Sequence, residues 1–508
     1  MDHSLFMAVD LGTSFIKAGV YNAEFQCLAA AGAPVPDEQP AAGVFIQRGE
    51  KLFEAVMSCI RSTTKQLNDD AKNIEAIAFT GQMAGSMGVD ENWNDVTSWS
   101  CSLDSRYLPW ADRQRADFAG DLFEIGCTNA PVMCSKYAWF RDTFPEEHRR
   151  IAKYVMLNGY IIGKLSGIPV SDAKIDNSLI TWTGLADVRA RRWSEKLCGE
   201  MGVNMDHLSE IVDCTTVGGF LSETIAKEVG LRSGIPLVVG AGDKVSGCTG
   251  AGILSLGDMI FEAASYGAIS CMVPEVRLDG EKRNYDVIGS IDNHSYYAHK
   301  YIQGSGISTD WFIETFMRAG GLDKKEALKL AEEEAMRIAP GSDNVLAIGL
   351  LGGSAMPFDS ELHGLFMGHR WNSTRGHFYR SLMESFSYDL ALTLDSIMKA
   401  YPEYAGGGIK LIGGGAKSAM WPQMLADVTG HSFTQLDRDD VALCGAAMLA
   451  AAGVGKIADI RETAHAHVSD LKTYVPNEAN YRIYRPRVEM YESACRELHD
   501  LYSRLNQL

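Results

Sequence analysis

Basic residues are the first shortage in this sequence: 47 lysines and arginines face 65 aspartates and glutamates, a formal net charge of −18. Such a surface repels phosphate backbones and anionic lipid, which argues against a polynucleotide or membrane-surface role and favours a small-molecule ligand. Cys-x-x-Cys pairs are missing. The 11 cysteines are scattered, with no Cys/His cluster at zinc-ligand spacing, so they are expected to be reduced, buried thiols of a cytosolic enzyme. No run of about 20 apolar residues occurs, and the opening MDHSLFMAVDLGTS has no basic leader region. The chain is therefore expected to be soluble and cytoplasmic. GxxxxGK followed by Ser or Thr is absent, and no GxGxxG follows a strand, which removes the Walker-type phosphate loop and the Rossmann dinucleotide site.

What is present is an ordinary folded α/β composition, 46% hydrophobic and 22% charged, with 50 glycines and 15 prolines. At 508 residues the chain exceeds one compact core and predicts two large domains or three smaller ones. Short β-rich runs (Leu5–Val9, Ile74–Phe79, Pro236–Val239) lead into glycine-containing turns, and a helical pattern spans Glu50–Leu67. LFMAVD and FIKAGVYN are separated only by LGTS, so the chain opens with an antiparallel hairpin rather than a βαβ crossover. GDMIFEAASYGAISCMV, from Gly257 to Val273, repeats that grammar. If each copy opens a domain, residues 1–254 and 255–455 form two similar domains around a cleft. The polar, helical stretch 456–508 is then expected to be a packing extension.

Three glycine-rich segments carry the candidate chemistry. In DLGTS, Asp10 ends a strand and can face a metal ion, while Gly12, Thr13 and Ser14 can hold phosphate oxygens. In VVGAGDKVSGCTGAG, small residues on either side bare Asp243 at the mouth of a strand, where a carboxylate can accept the proton of an attacking hydroxyl. Each aspartate taken alone also fits a turn or helix-capping role. In IKLIGGGAKS, a strand runs into Gly413, Gly414, Gly415 and Ala416, a junction expected to lead into a helix and to admit a flat or anionic ligand.

Together with GQM at Gln82 and Met83, DSR at Asp104 and Arg106, and GLLGGSAMPFDSELHGLFMGHRWNSTRGHFYRSLMES, these segments resemble the FGGY carbohydrate kinases in order and spacing from about Phe6 to Gly455. Among its members the set is most similar to xylulokinases. The resemblance implies two ribonuclease H-like domains, as in actin and hexokinase, with ATP, Mg²⁺ and a small sugar meeting between them. It implies Asp243 as catalytic base and Asp10 at the metal. ATP would be held by Gly12, Thr13, Ser14, Gly267, Ala268 and Gly413 to Ala416, and the sugar bordered by Gln82, Met83, Asp104, Arg106 and Lys244. D-xylulose is the implied acceptor, with L-xylulose, L-fuculose, gluconate, a polyol or a catalytically weak regulator as alternatives. A homodimer fits this picture.

The departures bear on specificity. Ala84 stands where the xylulokinases have His, Lys244 where they have Asn, and Ala268 where the second phosphate loop has Thr. Gly353-Ser354-Ala355 replaces Gly-Glu-Arg. Lys244 either pairs with a nearby acid or meets the carboxylate of an acidic sugar. The altered positions predict a best substrate that differs from D-xylulose in stereochemistry or charge.

Overall fold

The computed structural model describes residues 3–318 and 321–508. In the first half, β1 (Leu5–Leu11), β2 (Phe15–Tyr21), β3 (Cys27–Pro34), β4 (Ile74–Gly81), β5 (Val217–Phe220) and β6 (Pro236–Val238) pair in the order β5-β6-β4-β1-β2-β3. β1 to β3 form an antiparallel meander, β4 lies parallel to β1, β6 parallel to β4, and β5 closes the edge antiparallel. β1 is apolar along nearly its whole length because it is central and covered on both faces.

The second half repeats the plan. Its strands are β7 (Met259–Ala263), β8 (Gly267–Val273), β9 (Asp286–Gly289), β10 (Tyr296–Ile302), β11 (Ile409–Ile412), β12 (Phe433–Leu436) and β13 (Asp470–Tyr474), in the order β9-β10-β8-β7-β11-β12-β13. β7, β8 and β10 make the meander, β11 and β12 follow parallel, and β13 closes the edge antiparallel. Both halves thus have the ribonuclease H-like order, and the two hairpins read from the sequence occupy equivalent places.

Helices cover the sheets where their apolar stripes dictate. α1 (Gly49–Leu67) buries Leu52, Val56, Met57, Ile60, Thr63 and Leu67 against β2 and β3 and leaves Lys51, Glu54 and Lys65 in water. α2 (Asp243–Gly250) joins the halves. α3 (Arg375–Ala400), α4 (Trp421–Thr429) and α6 (Glu478–Asn506) pack against one another beside the second sheet, whereas α5 (Val441–Gly453) is apolar all round and enclosed. Although α5 follows β12, it lies against β1 and β4 of the first sheet and crosses α2. The crossing is backbone to backbone. A Cβ on Gly445 would lie 1.9 Å from the Ser246 carbonyl oxygen, and one on Gly250 2.0 Å from that of Val441. We expect Gly445→Ala to cost about 1–3 kcal/mol of stability through overpacking. Denaturant unfolding reads it, and an unchanged midpoint would show that the helices can part without loss.

Two details depart from the sequence reading. The stretch 456–508, expected as a helical extension, also supplies β13, whose residues are mostly exposed and charged or polar as befits an edge strand. The glycines after β11 lead into the expected helix only after an intervening turn: Gly414–Lys417 form a 3₁₀ turn, and α4 begins at Trp421.

Candidate active site

The site is built where the carboxyl ends of the two central strands, β1 and β7, approach each other across α2. Asp10, near the end of β1, lies opposite Thr80 on β4 and Lys17 on β2. The chain then turns at Gly12, where a Cβ would lie 2.5 Å from the Phe15 carbonyl oxygen, so glycine is required. Thr13 is half-buried and Ser14 exposed. Gln82 braces this turn: its Nε2 donates to the Gly12 carbonyl at 3.2 Å, and its Oε1 accepts from Trp99 Nε1 at 3.1 Å.

Asp243 is the first residue of α2, where the helix N-terminus favours a carboxylate. The chain reaches it through Gly240, at φ 77°, a position where a Cβ would sit 1.7 Å from the Phe79 carbonyl oxygen. Gly242 follows, packed against Met83, and its N–H donates to Ser178 Oγ at 2.9 Å. One carboxylate oxygen of Asp243, Oδ1, is buried and has no hydrogen-bond partner among the described residues.

Next to it, Lys244 Nζ donates to Glu262 Oε2 on β7 at 2.5 Å, lies 3.8 Å from Asp243 Oδ2, and stands 5.7 Å from the centroid of the Tyr301 ring. Burial, then Asp243, pushes the Asp10 carboxyl up to about 7. Burial also raises Asp243, opposed by the Lys244 charge and reinforced by Glu262. Burial disfavours the Lys244 ammonium, but Glu262 and Asp243 outweigh it and hold the group well above the usual lysine range. Three carboxylates and one ammonium therefore share one site, with Lys17 alongside.

The other sugar-side candidates form a neighbouring group. Asp104 is fully buried and accepts from Arg106 Nε and Nη2 at 2.8 and 2.9 Å and from Ser100 Oγ at 2.7 Å. The Arg106 guanidinium lies 4.6 Å from the Trp139 ring centroid. Lys136, buried in the helix Val132–Thr143, donates to the carbonyls of Ser100 and Cys101 at 2.6 and 2.7 Å, and burial pulls its ammonium down to about 7. Ser100 follows Trp99, whose indole holds Gln82, so the GQM and DSR segments are physically coupled.

On the second half, Ser265 is the exposed point of the β7–β8 turn, while Gly267 and Ala268 already lie inside β8, buried, with Ala268 paired to Glu262 and Tyr301. Gly413, at φ 90°, leaves room for β7: a Cβ there would be 2.6 Å from the Ala263 carbonyl oxygen. Gly414 is open, Gly415 backs onto Trp421, and Ala416 is buried. The third glycine turn thus sits beside the end of β7 that carries Glu262. A separate cavity of about 860 Å³, lined by Phe312, Phe316, Phe366, Phe378 and Arg337 among others, contains none of these residues.

Two participants escaped the sequence reading. Glu262 is the single carboxylate in the apolar run MIFEA, a signal that is visible once the strand is known to be buried. Lys136 stands in a helix whose first nine residues are all buried, which periodicity alone does not flag.

Two ribonuclease H-like halves with facing strand ends define the actin- and hexokinase-type class of two-domain proteins. Residues 5–250 match the N-terminal domain, and residues 272–454 the C-terminal domain, of the FGGY family of carbohydrate kinases. Over 505 residues the chain is 26% identical to a xylulose kinase of Bacillus subtilis (strain 168), covering 98% of each chain. It is 25% identical to a gluconokinase of the same organism, covering 99% of this chain and 98% of that one. The structure superposes on a gluconate kinase from Lactobacillus acidophilus with a TM-score of 0.89 at 20% identity, covering 99% of this chain and all of the other. The chain belongs to the FGGY family of carbohydrate kinases; it is a sugar kinase, with ATP as the family's co-substrate.

Proposed function

We propose that the protein transfers the γ-phosphate of ATP to a hydroxyl of a small neutral ketose: the pairing of Lys244 with Glu262 removes the charge departure that pointed away from D-xylulose, which becomes the first candidate, while Ala84 keeps L-xylulose and L-fuculose next. The observation that carries this choice is that the two cations expected at the sugar, Lys244 and Arg106, are already matched to carboxylates, while the neighbouring Lys136 is fully buried on the carbonyls of Ser100 and Cys101. Lys244 pairs with Glu262 at 2.5 Å, and Arg106 pairs in two-pronged fashion with Asp104. An aldonate would need a free cation to repay the desolvation of its own charge. Asp243 Oδ1, which has no hydrogen-bond partner among the described residues, is the oxygen we assign to the acceptor hydroxyl. It takes the hydroxyl proton as the sugar oxygen bonds to the γ-phosphorus and the bond to the β-γ bridging oxygen breaks, releasing ADP.

Gly12, Thr13 and Ser14 hold phosphate from the first half, the Ser265–Ala268 region from the second, and Gly413 to Ala416 receive the adenosine. Asp10 is assigned to Mg²⁺: it is buried beside the Asp243 carboxylate, and a divalent cation would favour the ionised form that this burial and crowding disfavour. No set of three His, Cys, Asp or Glu donors converges among the described residues. That suits an ion held by one or two carboxylates and the nucleotide's own phosphates. When bound, Mg²⁺ supplies charge neutralisation at the transferring phosphoryl group. Gln82, Met83, Asp104 and Arg106 shape the sugar side. A cytoplasmic location accords with the free cysteines, ten of which are at least partly buried.

The test is an ADP-release screen over ketoses, polyols and aldonates. We expect kcat/KM for the best neutral ketose to exceed that for gluconate by more than about tenfold, or roughly 1.4 kcal/mol of transition-state binding. A preference for gluconate would refute the neutral-substrate reading.

A further inference from the structure

We propose that Glu262 is a positioning residue that restrains Lys244 and so keeps Asp243 free to accept the sugar's proton; this rests on the kinase reading of Asp243 above. The geometry is specific. At 3.8 Å from Asp243 Oδ2, the Lys244 ammonium is close enough to favour the carboxylate by charge but too far to form a hydrogen bond with it. Its hydrogen bond goes instead to Glu262, at 2.5 Å. Glu262 belongs to a different element, the middle strand β7, where β8 and β11 flank it on either side: Ala268 is its partner on one and Ile412 on the other. Its backbone is therefore fixed independently of α2. The Tyr301 ring stands alongside the ammonium, 5.7 Å from its centroid.

Lys244 is adjacent in sequence to Asp243, and a lysine stem is flexible enough to reach it directly. The charged and titratable groups facing this point are Asp10 and Lys17 from the first sheet, Asp243 and Lys244 from α2, and Glu262 and the neutral Tyr301 phenol from the second sheet. If Glu262 lost its charge, the nearest anion left to Lys244 would be Asp243 itself. The ammonium would close onto the base, occupy its lone pairs and weaken it as a proton acceptor. Glu262 thus separates two effects that a bare Asp-Lys neighbour pair would confound: it lets the positive charge stay near the base without a hydrogen bond that would disable it. The same pairing withholds Lys244 from substrate carboxylates.

Three variants test this against wild type, with kcat and both KM values measured and folding checked by thermal melting. Glu262→Gln should lower kcat by about 10–10²-fold, part of the full worth of a positioned base, while KM for ATP stays within about twofold. Glu262→Asp, which keeps the charge, should recover most of that loss. In a Lys244→Met background no ammonium remains to be restrained, and adding Glu262→Gln should then change kcat by less than about threefold. That double variant removes both partners of the ion pair and so stays testable if Glu262→Gln alone does not fold. An unchanged kcat in Glu262→Gln, or a loss in the Lys244→Met background as large as in wild type, overturns the proposal while leaving the kinase assignment intact. A wild type that phosphorylates no sugar overturns both.

Discussion

Asp243→Asn should lower kcat by about 10²–10⁴-fold, with KM for ATP little changed. The substitution keeps the size of the side chain and its place at the start of α2, but it removes the proton acceptor. The proposed role is specific about the atom: Oδ1 is buried with no hydrogen-bond partner among the described residues, while Oδ2 lies 3.8 Å from Lys244 Nζ. A carboxamide there must also turn either its NH₂ or its oxygen toward the ammonium, and neither restores a base. Steady-state kinetics with the best sugar from the screen decide it. Near wild-type turnover would remove Asp243 from the mechanism.

Asp10→Ala should lower kcat/KM for MgATP by about ten- to a hundredfold, the usual worth of one charge-assisted contact, and leave sugar affinity nearly unchanged. Calorimetry with MgATP and with sugar separates the two, and unchanged nucleotide affinity together with unchanged turnover would reduce the DLGTS turn to a hairpin. The same variant carries a stability signature of opposite sign. Burial and Asp243 raise the Asp10 carboxyl from 3.8 to about 7 in the folded protein, so the folded state binds its proton more tightly than the unfolded chain does. The unliganded protein therefore loses stability from this group as pH rises from about 4 to about 7, and above that the ionised carboxylate is a net cost. Asp10→Ala should melt no lower than wild type at pH 8 without ligand. A clearly lower melting temperature would mean that the carboxylate is structurally satisfied rather than held ready for a ligand.

The kinase plan was legible because close backbone approach leaves marks that survive without coordinates. Gly12, Gly240 and Gly413 sit where any Cβ would strike a carbonyl or the neighbouring strand, so the glycine segments announced the three turns and their order. The opening hairpin was legible for a simpler reason: LGTS is too short to hold a crossover helix. The edge strand β13 was hidden because an exposed strand needs no apolar alternation to form once a partner edge is offered. α5 is apolar all round, as an enclosed helix must be, but nothing in its own residues says which sheet encloses it.

The site divides in the same way. Asp10 and Asp243 could be picked out as candidates because each stands beside small residues, but either alone also fits a turn or cap, and it was the order of all the glycine segments that singled them out. Whether Lys244 serves a substrate or a neighbour could not be read in this way, because its partner lies 18 positions away on another sheet. The sequence alone determined the two-domain α/β plan and the glycine turns, properties of short segments whose steric demands are local, and it offered Asp10 and Asp243 as candidates. Only the tertiary structure decided that Lys244 belongs to Glu262, that Gln82 braces the first turn and that Asp104 and Arg106 neutralise each other. Pairing between charges depends on distance and burial, and those are set by how the two halves pack.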